Sequence, residues 1–133
     1  MKHLIILGTF ALAGCIEMPK PTAEAPDGKQ LFMENCASCH GTDAKGSGEM
    51  ARHLIKMPPD LTQLSARNGG VFPMDDVMST IDGLHRGPKF SGAMPEFGAG
   101  DLGQTVVVER GGLGMPVPIE LLLLAEYLEE VQG

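Results

Sequence analysis

Three residues in the first third of the chain have the types and spacing to bind a redox cofactor. Cys36 and Cys39 are separated by two residues, and His40 follows directly. This C-x-x-C-H pattern is the attachment signature of c-type haem. The two thiols add to the two vinyl groups of the porphyrin as thioethers, and the adjacent imidazole is delivered to one face of the iron. The pattern therefore predicts one covalent haem c, with His40 as the first iron ligand.

Other roles for this cysteine pair have weaker support in the sequence. A structural zinc site takes four ligands, usually from a second Cys/His pair, and the sequence offers no second pair of that kind. A thioredoxin-like redox pair belongs to a βαβ unit, and no such pattern surrounds these residues. A disulfide across the two intervening residues is the third alternative, and it would be strained.

A haem held in this way needs a second axial ligand, and the sequence contains several candidates. A Met thioether is a soft ligand, and His/Met ligation raises the reduction potential. Met94 lies between a glycine and a proline in a long loop-like stretch, where the chain can fold over the haem face opposite His40. We therefore predict Met94 as the distal ligand. The main alternatives are Met115, just before the last helix, and His53 or His85, which would give a bis-His haem of lower potential. Met50, Met57, Met74 and Met78 are further candidates, of which Met74 and Met78 belong to a predicted helix and are expected to pack inward.

The N-terminal residues predict export and a lipid anchor. Residues 1–14 have Lys2 near the start and an apolar run too short to span a bilayer, which is the pattern of a secretory signal. The run ends in the letters LAGC at residues 12–15 and resembles a bacterial lipobox. We therefore expect cleavage before Cys15 and acyl chains on its thiol, with an ordinary signal peptide as the alternative. Residues 15–26 contain three prolines and no periodicity, which favours an extended tether.

The elements that must position the cofactor ligands are predicted to be short helices joined by long loops. Asp27 is a good N-cap for the first helix, and Gly83 is expected to end the second. The predicted helices run from Gly28 to about Asn35, from Pro73 to Gly83, and from about Pro118 to Val131. Residues 84–117 are typical of a loop, with Val106 to Val108 as a candidate short strand.

From about Asp27 to Gln132 the sequence resembles a class I cytochrome c. Besides the C-x-x-C-H motif, the matching segments are Gly28-Lys29-Gln30-Leu31-Phe32, His40-Gly41, Pro58-Pro59-Asp60-Leu61, Gly92-Ala93-Met94-Pro95 and Leu124-x-x-Tyr127-Leu128. The resemblance implies an all-α cytochrome c fold over residues 27–133, with about four to five short helices and long loops around one haem. It also implies that the first and last helices cross closely at Gly28, that the Pro59 carbonyl accepts a hydrogen bond from His40, and that Leu61 lies on the haem face.

A six-coordinate His/Met haem has no open position for a substrate, so the sequence predicts a one-electron carrier rather than an enzyme. The expected partners are redox proteins that donate and accept electrons. The lipid on Cys15 would place the domain on the periplasmic side of a bacterial membrane, inner or outer. A formal net charge of −7 with no basic stripe argues against nucleic-acid binding. The alternatives are a permanently bound haem subunit of a membrane dehydrogenase or oxidase complex, and a haem sensor or peroxidase-like protein.

Overall fold

The computed structural model describes residues 27–84, 86, 92–100 and 103–133. The predicted signal peptide, Cys15 and the tether of residues 15–26 lie outside these residues, as does His85. The helices are α1 (Gly28–Asn35), α2 (Ala37–His40), α3 (Leu64–Arg67), α4 (Met74–Asp82) and α5 (Ile119–Glu130). Short 3₁₀ helices cover Glu49–His53, Leu61–Gln63 and Phe97–Ala99, and two strands, β1 (Thr105–Arg110) and β2 (Leu113–Pro118), follow the last of these.

Helix α1 begins and ends where the sequence predicts. The Asp27 carboxylate accepts a hydrogen bond from the Gln30 backbone N–H at 2.6 Å, which satisfies one of the free donors of the first turn. The helix buries Gly28, Leu31 and Phe32. Cys36 follows as its C-cap, so the helix delivers the chain directly to the C-x-x-C-H segment.

Helices α1 and α5 cross at Gly28, as the family resemblance implies. A Cβ atom on this glycine would lie 2.0 Å from the carbonyl oxygen of Leu123 and 2.8 Å from the Cβ of Tyr127. Beside the crossing, the rings of Phe32 and Tyr127 have centroids 5.3 Å apart and planes inclined by 47°, a favourable tilted pairing. Phe32 and Leu124 are the largest fully buried side chains, so the core is centred on this contact.

Helix α4 also has its predicted bounds to within a residue. It ends at Gly83, which has φ of 100° and donates its N–H to the Ser79 carbonyl at 3.1 Å; glycine takes this left-handed conformation with little strain. Its buried residues, Val77, Met78 and Ile81, pack into the same core as α1 and α5. The mostly helical fold is therefore as predicted.

A β-hairpin occupies part of the stretch that the sequence analysis assigns to a loop. Strands β1 and β2 pair antiparallel, with Val106 opposite Val117 and Val108 opposite Met115. The strand expected at residues 106–108 is present but longer, and the loop prediction is wrong for the other strand residues up to 117. Pro118, expected to begin the last helix, is the last residue of β2. Gly111 and Gly112 form the two-residue turn between the strands, with φ of 58° and 80°. A hairpin turn of this kind requires positive φ at both positions, and glycine adopts positive φ with little strain.

The described helices include none that is long and apolar enough to cross a membrane.

Candidate haem-binding site

One largely apolar cavity of about 370 Å³ opens between the helices and the two long connections. Helices α1, α4 and α5 form its floor through Phe32, Ile81 and Leu124. The C-x-x-C-H segment and residues 54–61 form one wall, and residues 93–97 form a second wall. The volume is within the range of small-molecule sites in proteins.

A single helical turn brings the three attachment residues to the cavity. The backbone N–H of His40 donates to the Cys36 carbonyl at 2.9 Å, which defines α2. Cys36, Cys39 and His40 all line the cavity, and both cysteines are free thiols. Burial, with a smaller contribution from Cys39, raises the pKa of the Cys36 thiol to about 11, so this thiol is protonated at neutral pH.

Two glycines let the following loop pack against this turn. A Cβ on Gly48 would lie 2.4 Å from the carbonyl oxygen of Ser38, and one on Gly46 would lie 2.2 Å from the carbonyl oxygen of Pro58. Gly46 also has φ of 84°, and its N–H donates to the His40 carbonyl at 2.7 Å. The glycine-rich composition after His40 thus serves close backbone packing rather than flexibility.

The electrostatics of His40 favour its neutral form. Burial lowers the pKa of the imidazole, and the interaction of the ring with the Pro59 backbone carbonyl partly opposes this effect. Nδ1 is buried and makes no well-aligned hydrogen bond with the described residues. Pro59 and Leu61, singled out in the sequence, both line the cavity beside the ring. A neutral imidazole is the form that binds a metal.

Met94 reaches the cavity from the second wall. Its side chain is half-buried and lines the cavity together with Pro95 and Phe97. Met115, the main alternative, lies on β2 and is 42% exposed. His53 is exposed and accepts a hydrogen bond from the neighbouring Arg52 at 3.3 Å. Among the candidate distal ligands that the structure describes, Met94 and Met57 line the cavity that holds His40. Met57 is 58% exposed, whereas Met94 is half-buried.

The sequence analysis missed two residues that hold the cavity walls in place. Gln132 donates to the Leu61 carbonyl at 2.8 Å and accepts from the Ser65 N–H at 2.9 Å. Arg86 donates to the carbonyl oxygens of Met94 and Pro95, both at 2.7 Å. Neither residue lies in a recognisable motif. Gln132 contacts backbone groups that are distant in sequence, and Arg86 contacts carbonyls of an irregular loop.

The residues present fit haem c. Two free thiols with two residues between them, a partly buried imidazole whose pKa is lowered and a thioether all line one largely apolar cavity. Within the ranges that the structure describes, there is no group of three or more His, Cys, Asp or Glu residues that could hold a metal ion directly. A zinc site built from the cysteine pair therefore finds no support.

Comparison with known proteins agrees with this donor set. The model of the cytochrome c family matches residues 25–104, and the chain belongs to the cytochrome c family. Members of this family bind covalently attached haem c and transfer electrons, and the chain is accordingly a haem c protein of electron transfer. The matched segment ends immediately before β1, so the hairpin lies outside it.

The relatives found by sequence include subunits of cbb3-type cytochrome c oxidases. The chain is 38% identical over 99 residues to the cbb3-type cytochrome c oxidase subunit FixPc of Rhizobium leguminosarum bv. viciae, which covers 72% of this chain and 29% of the relative. It is 59% identical over 32 residues to the subunit CcoP of Rhodobacter capsulatus, covering 24% of this chain and 11% of the relative. Over 23 residues it is 74% identical to the subunit FixP of Sinorhizobium medicae, covering 17% of this chain and 8% of the relative.

The chain thus spans less than a third of the length of these relatives. No solved structure was found to match it.

Proposed function

We propose that this chain is a one-electron carrier whose haem c is bound through Cys36 and Cys39 and whose iron is ligated by His40 and Met94. The observation that supports this most strongly is that all four side chains line one apolar cavity, to which the histidine and the methionine come from separate segments of the chain. When bound, haem supplies an iron that changes between two oxidation states by one electron.

The protein side of this function is to hold the two ligands and to exclude water. The Pro59 carbonyl interacts with the His40 ring, and such a partner orients a ligating imidazole and raises its basicity. Leu61, Leu64 and Phe97 line the cavity with hydrocarbon. An apolar surrounding and a thioether ligand both disfavour the more highly charged oxidised iron, so we expect a high reduction potential.

Filling both axial positions with side chains leaves no position for a substrate. The domain of residues 27–133 therefore acts as a carrier between redox proteins rather than as an enzyme in its own right. Rapid binding of carbon monoxide to the reduced protein would contradict this, because it requires an open or easily displaced axial position.

The first test is haem attachment followed by a redox titration. The chain, produced with a cytochrome c maturation system, should retain haem after denaturation and should titrate with a single one-electron step. Replacing Cys36 and Cys39 by alanine together should remove all covalent haem, whereas replacing the N-terminal Cys15 by serine should leave it unchanged. Haem that dissociates on denaturation of the wild-type protein would refute covalent attachment.

We also propose that Cys15 carries a lipid and that residues 15–26 tether the domain to the periplasmic side of a membrane. This proposal depends on the sequence pattern at residues 1–15, where a short apolar run ends in LAGC. Two signals or two acyl chains give stable anchoring, which a lipidated cysteine would supply. Cells grown with labelled palmitate should label the wild-type protein and not the Cys15→Ser variant; equal labelling of both would refute the anchor.

A second candidate is a haem subunit bound permanently to an oxidase complex. The relatives that support it carry the printed names of cbb3-type cytochrome c oxidase subunits. Mild detergent extraction separates the two candidates. A stoichiometric complex with oxidase subunits would favour the fixed subunit, and recovery of the chain alone with its haem would favour the mobile carrier.

A further inference from the structure

The side chain of Arg86 connects helix α4 to the loop that carries Met94, of which residues 92–100 are described. Its Nη1 donates to the Met94 carbonyl at 2.7 Å and its Nη2 donates to the Pro95 carbonyl at 2.7 Å. Its Nε lies 3.3 Å from the carbonyl oxygen of Thr80, in the last turn of α4. The side chain is half-buried. One guanidinium therefore contacts two consecutive carbonyls of the loop and one carbonyl of the helix.

The chemistry of this contact requires an arginine. A guanidinium presents its donors in a fixed planar fork, whereas a lysine ammonium is a single point of charge on a flexible stem. The Thr80 carbonyl is one of the last four in α4, which have no partner within the helix. A positive charge is also favourable there because the C-terminal end of a helix carries partial negative charge. Arg86 thus uses a free helix end as the anchor for the loop.

The loop needs such an anchor because its own sequence is permissive. Gly92 has φ of 69°, and a Cβ placed on it would meet no atom within 4 Å. Gly100 follows eight residues later, and a Cβ placed on it would lie 3.9 Å from the nearest atom. Each glycine increases the conformational entropy that the loop loses when it is held in one arrangement.

We infer that Arg86 is a positioning residue that fixes the backbone of Met94 and Pro95 and so keeps the Met94 thioether in the haem cavity. This inference rests on the proposed ligation of the iron by Met94. Arg86 acts on the loop backbone, through the carbonyls of Met94 and Pro95. It affects how easily the sulfur is displaced, since a backbone held in place keeps the thioether within reach of the iron.

Competition by an added ligand measures this property directly. Imidazole is a good iron ligand and can enter the oxidised holoprotein only where Met94 leaves. The dissociation constant for imidazole should be measured for wild type, Arg86→Gln and Arg86→Lys, with the near-red Met–iron band recorded in the same titration. Arg52→Gln is the matched control, because it removes the same charge from an exposed residue that pairs with Glu49 on the surface.

Loss of the charged hydrogen bonds in Arg86→Gln should tighten imidazole binding about tenfold or more, given the usual strength of a hydrogen bond to a charged donor. Arg86→Lys should lie between that variant and wild type, and Arg52→Gln should equal wild type. Unfolding by denaturant, followed in parallel, separates ligand release from a general loss of stability, and Arg86→Lys decides the question if Arg86→Gln does not fold.

Two results overturn the inference in distinguishable ways. A wild-type protein that shows the Met–iron band, with variants at Arg86 that bind imidazole as wild type does, would refute the role of Arg86 and leave Met94 ligation standing. A wild-type protein without the band would refute Met94 ligation, and the inference about Arg86 would fall with it.

Discussion

The two walls of the haem cavity are held in different ways. On the wall of Cys39 and His40, backbone hydrogen bonds link successive turns: the N–H groups of Gly46 and Gly48 donate to the carbonyls of His40 and Cys39 at 2.7 and 3.1 Å. Leu61 donates in turn to Ala44 at 2.8 Å. On the wall of Met94, the hydrogen bonds to the carbonyls of Met94 and Pro95 come from one side chain, that of Arg86.

This difference separates two properties of the site. The wall of the cysteines and histidine is built into the backbone, so changes there should cost stability and haem attachment together. On the methionine wall the carbonyls of Met94 and Pro95 are held by a side chain, so changes there should alter the iron ligand and leave the fold intact. Regions with few backbone hydrogen bonds open with lower free energy than core elements.

The largest effect is expected at Gly28, where helices α1 and α5 cross. Gly28→Leu places a side chain where even a Cβ would lie 2.0 Å from the Leu123 carbonyl oxygen, so α1 and α5 must separate. We expect a loss of about 3 kcal/mol or more in the free energy of unfolding, measured by denaturant titration, at the upper end of overpacking effects. Gly100→Leu is the control, since its Cβ would be 3.9 Å from the nearest atom; equal stability of the two variants would refute the close crossing.

A smaller change tests the backbone packing behind His40. Gly46→Ala and Gly70→Ala both place a Cβ at positive φ, 84° and 90°. Only Gly46 has a neighbour in the way, the Pro58 carbonyl oxygen at 2.2 Å, and Gly70 has none within 4 Å. Gly46→Ala should therefore destabilise the protein by about 1–3 kcal/mol more than Gly70→Ala and reduce the yield of covalent haem. If the two alanine variants unfold at the same denaturant concentration, the close packing of Gly46 on the Pro58 carbonyl does not contribute to the free energy of unfolding.

The C-terminal residues offer a test of similar or smaller size. Gln132→Ala leaves the Leu61 carbonyl and the Ser65 N–H without their partner, and we expect a loss of about 1–3 kcal/mol. Gln30→Ala removes an exposed bond to Glu34 within one helix and should cost much less. Thermal unfolding of both holoproteins measures the difference. A larger loss for Gln30→Ala would show that the tail does not support this wall.

The smallest effect concerns Asp60, beside Pro59. Hydrogen bonds from the Thr62 side chain and, to a smaller degree, its backbone N–H lower the pKa of this carboxyl, and the nearby Lys45 and Arg67 act in the same direction. A lowered pKa means that the carboxylate favours the folded state at higher pH, and that this contribution is lost as the pH falls through the folded-state pKa. NMR titration should give a pKa below the ordinary value of 3.8, and Thr62→Val should raise it. An unchanged pKa in Thr62→Val would exclude this cause.

Local signals in the sequence were sufficient for the elements that surround the cavity. The Asp27 cap, the glycine at 83 and the apolar spacing of the last helix each determine structure within a few residues of themselves, and the structure reproduces all three. The crossing at Gly28 followed from the family resemblance.

The hairpin and Arg86 escaped prediction for physical reasons. Strand β2 (LGMPVP) has two prolines and no alternation of apolar and polar residues, so only the Gly111-Gly112 pair after a β-branched run signalled a turn. Arg86 acts on carbonyls of an irregular loop, and neither its spacing nor its neighbours reveal such a contact. The cavity itself depends on which side chains meet across long loops, and that is a property of the folded chain.

The proposed function depends most on Met94 as the distal ligand of the iron, and the spectrum of the oxidised protein tests this ligation. The oxidised, haem-loaded protein should show the weak near-red charge-transfer band of a methionine–iron bond, and Met94→Ala should lack it while retaining covalent haem. Met115→Ala serves as the matched control and should keep the band. A band that survives in Met94→Ala, or a wild-type protein without any band, would contradict the assignment of Met94 and with it the proposed carrier with both axial positions filled.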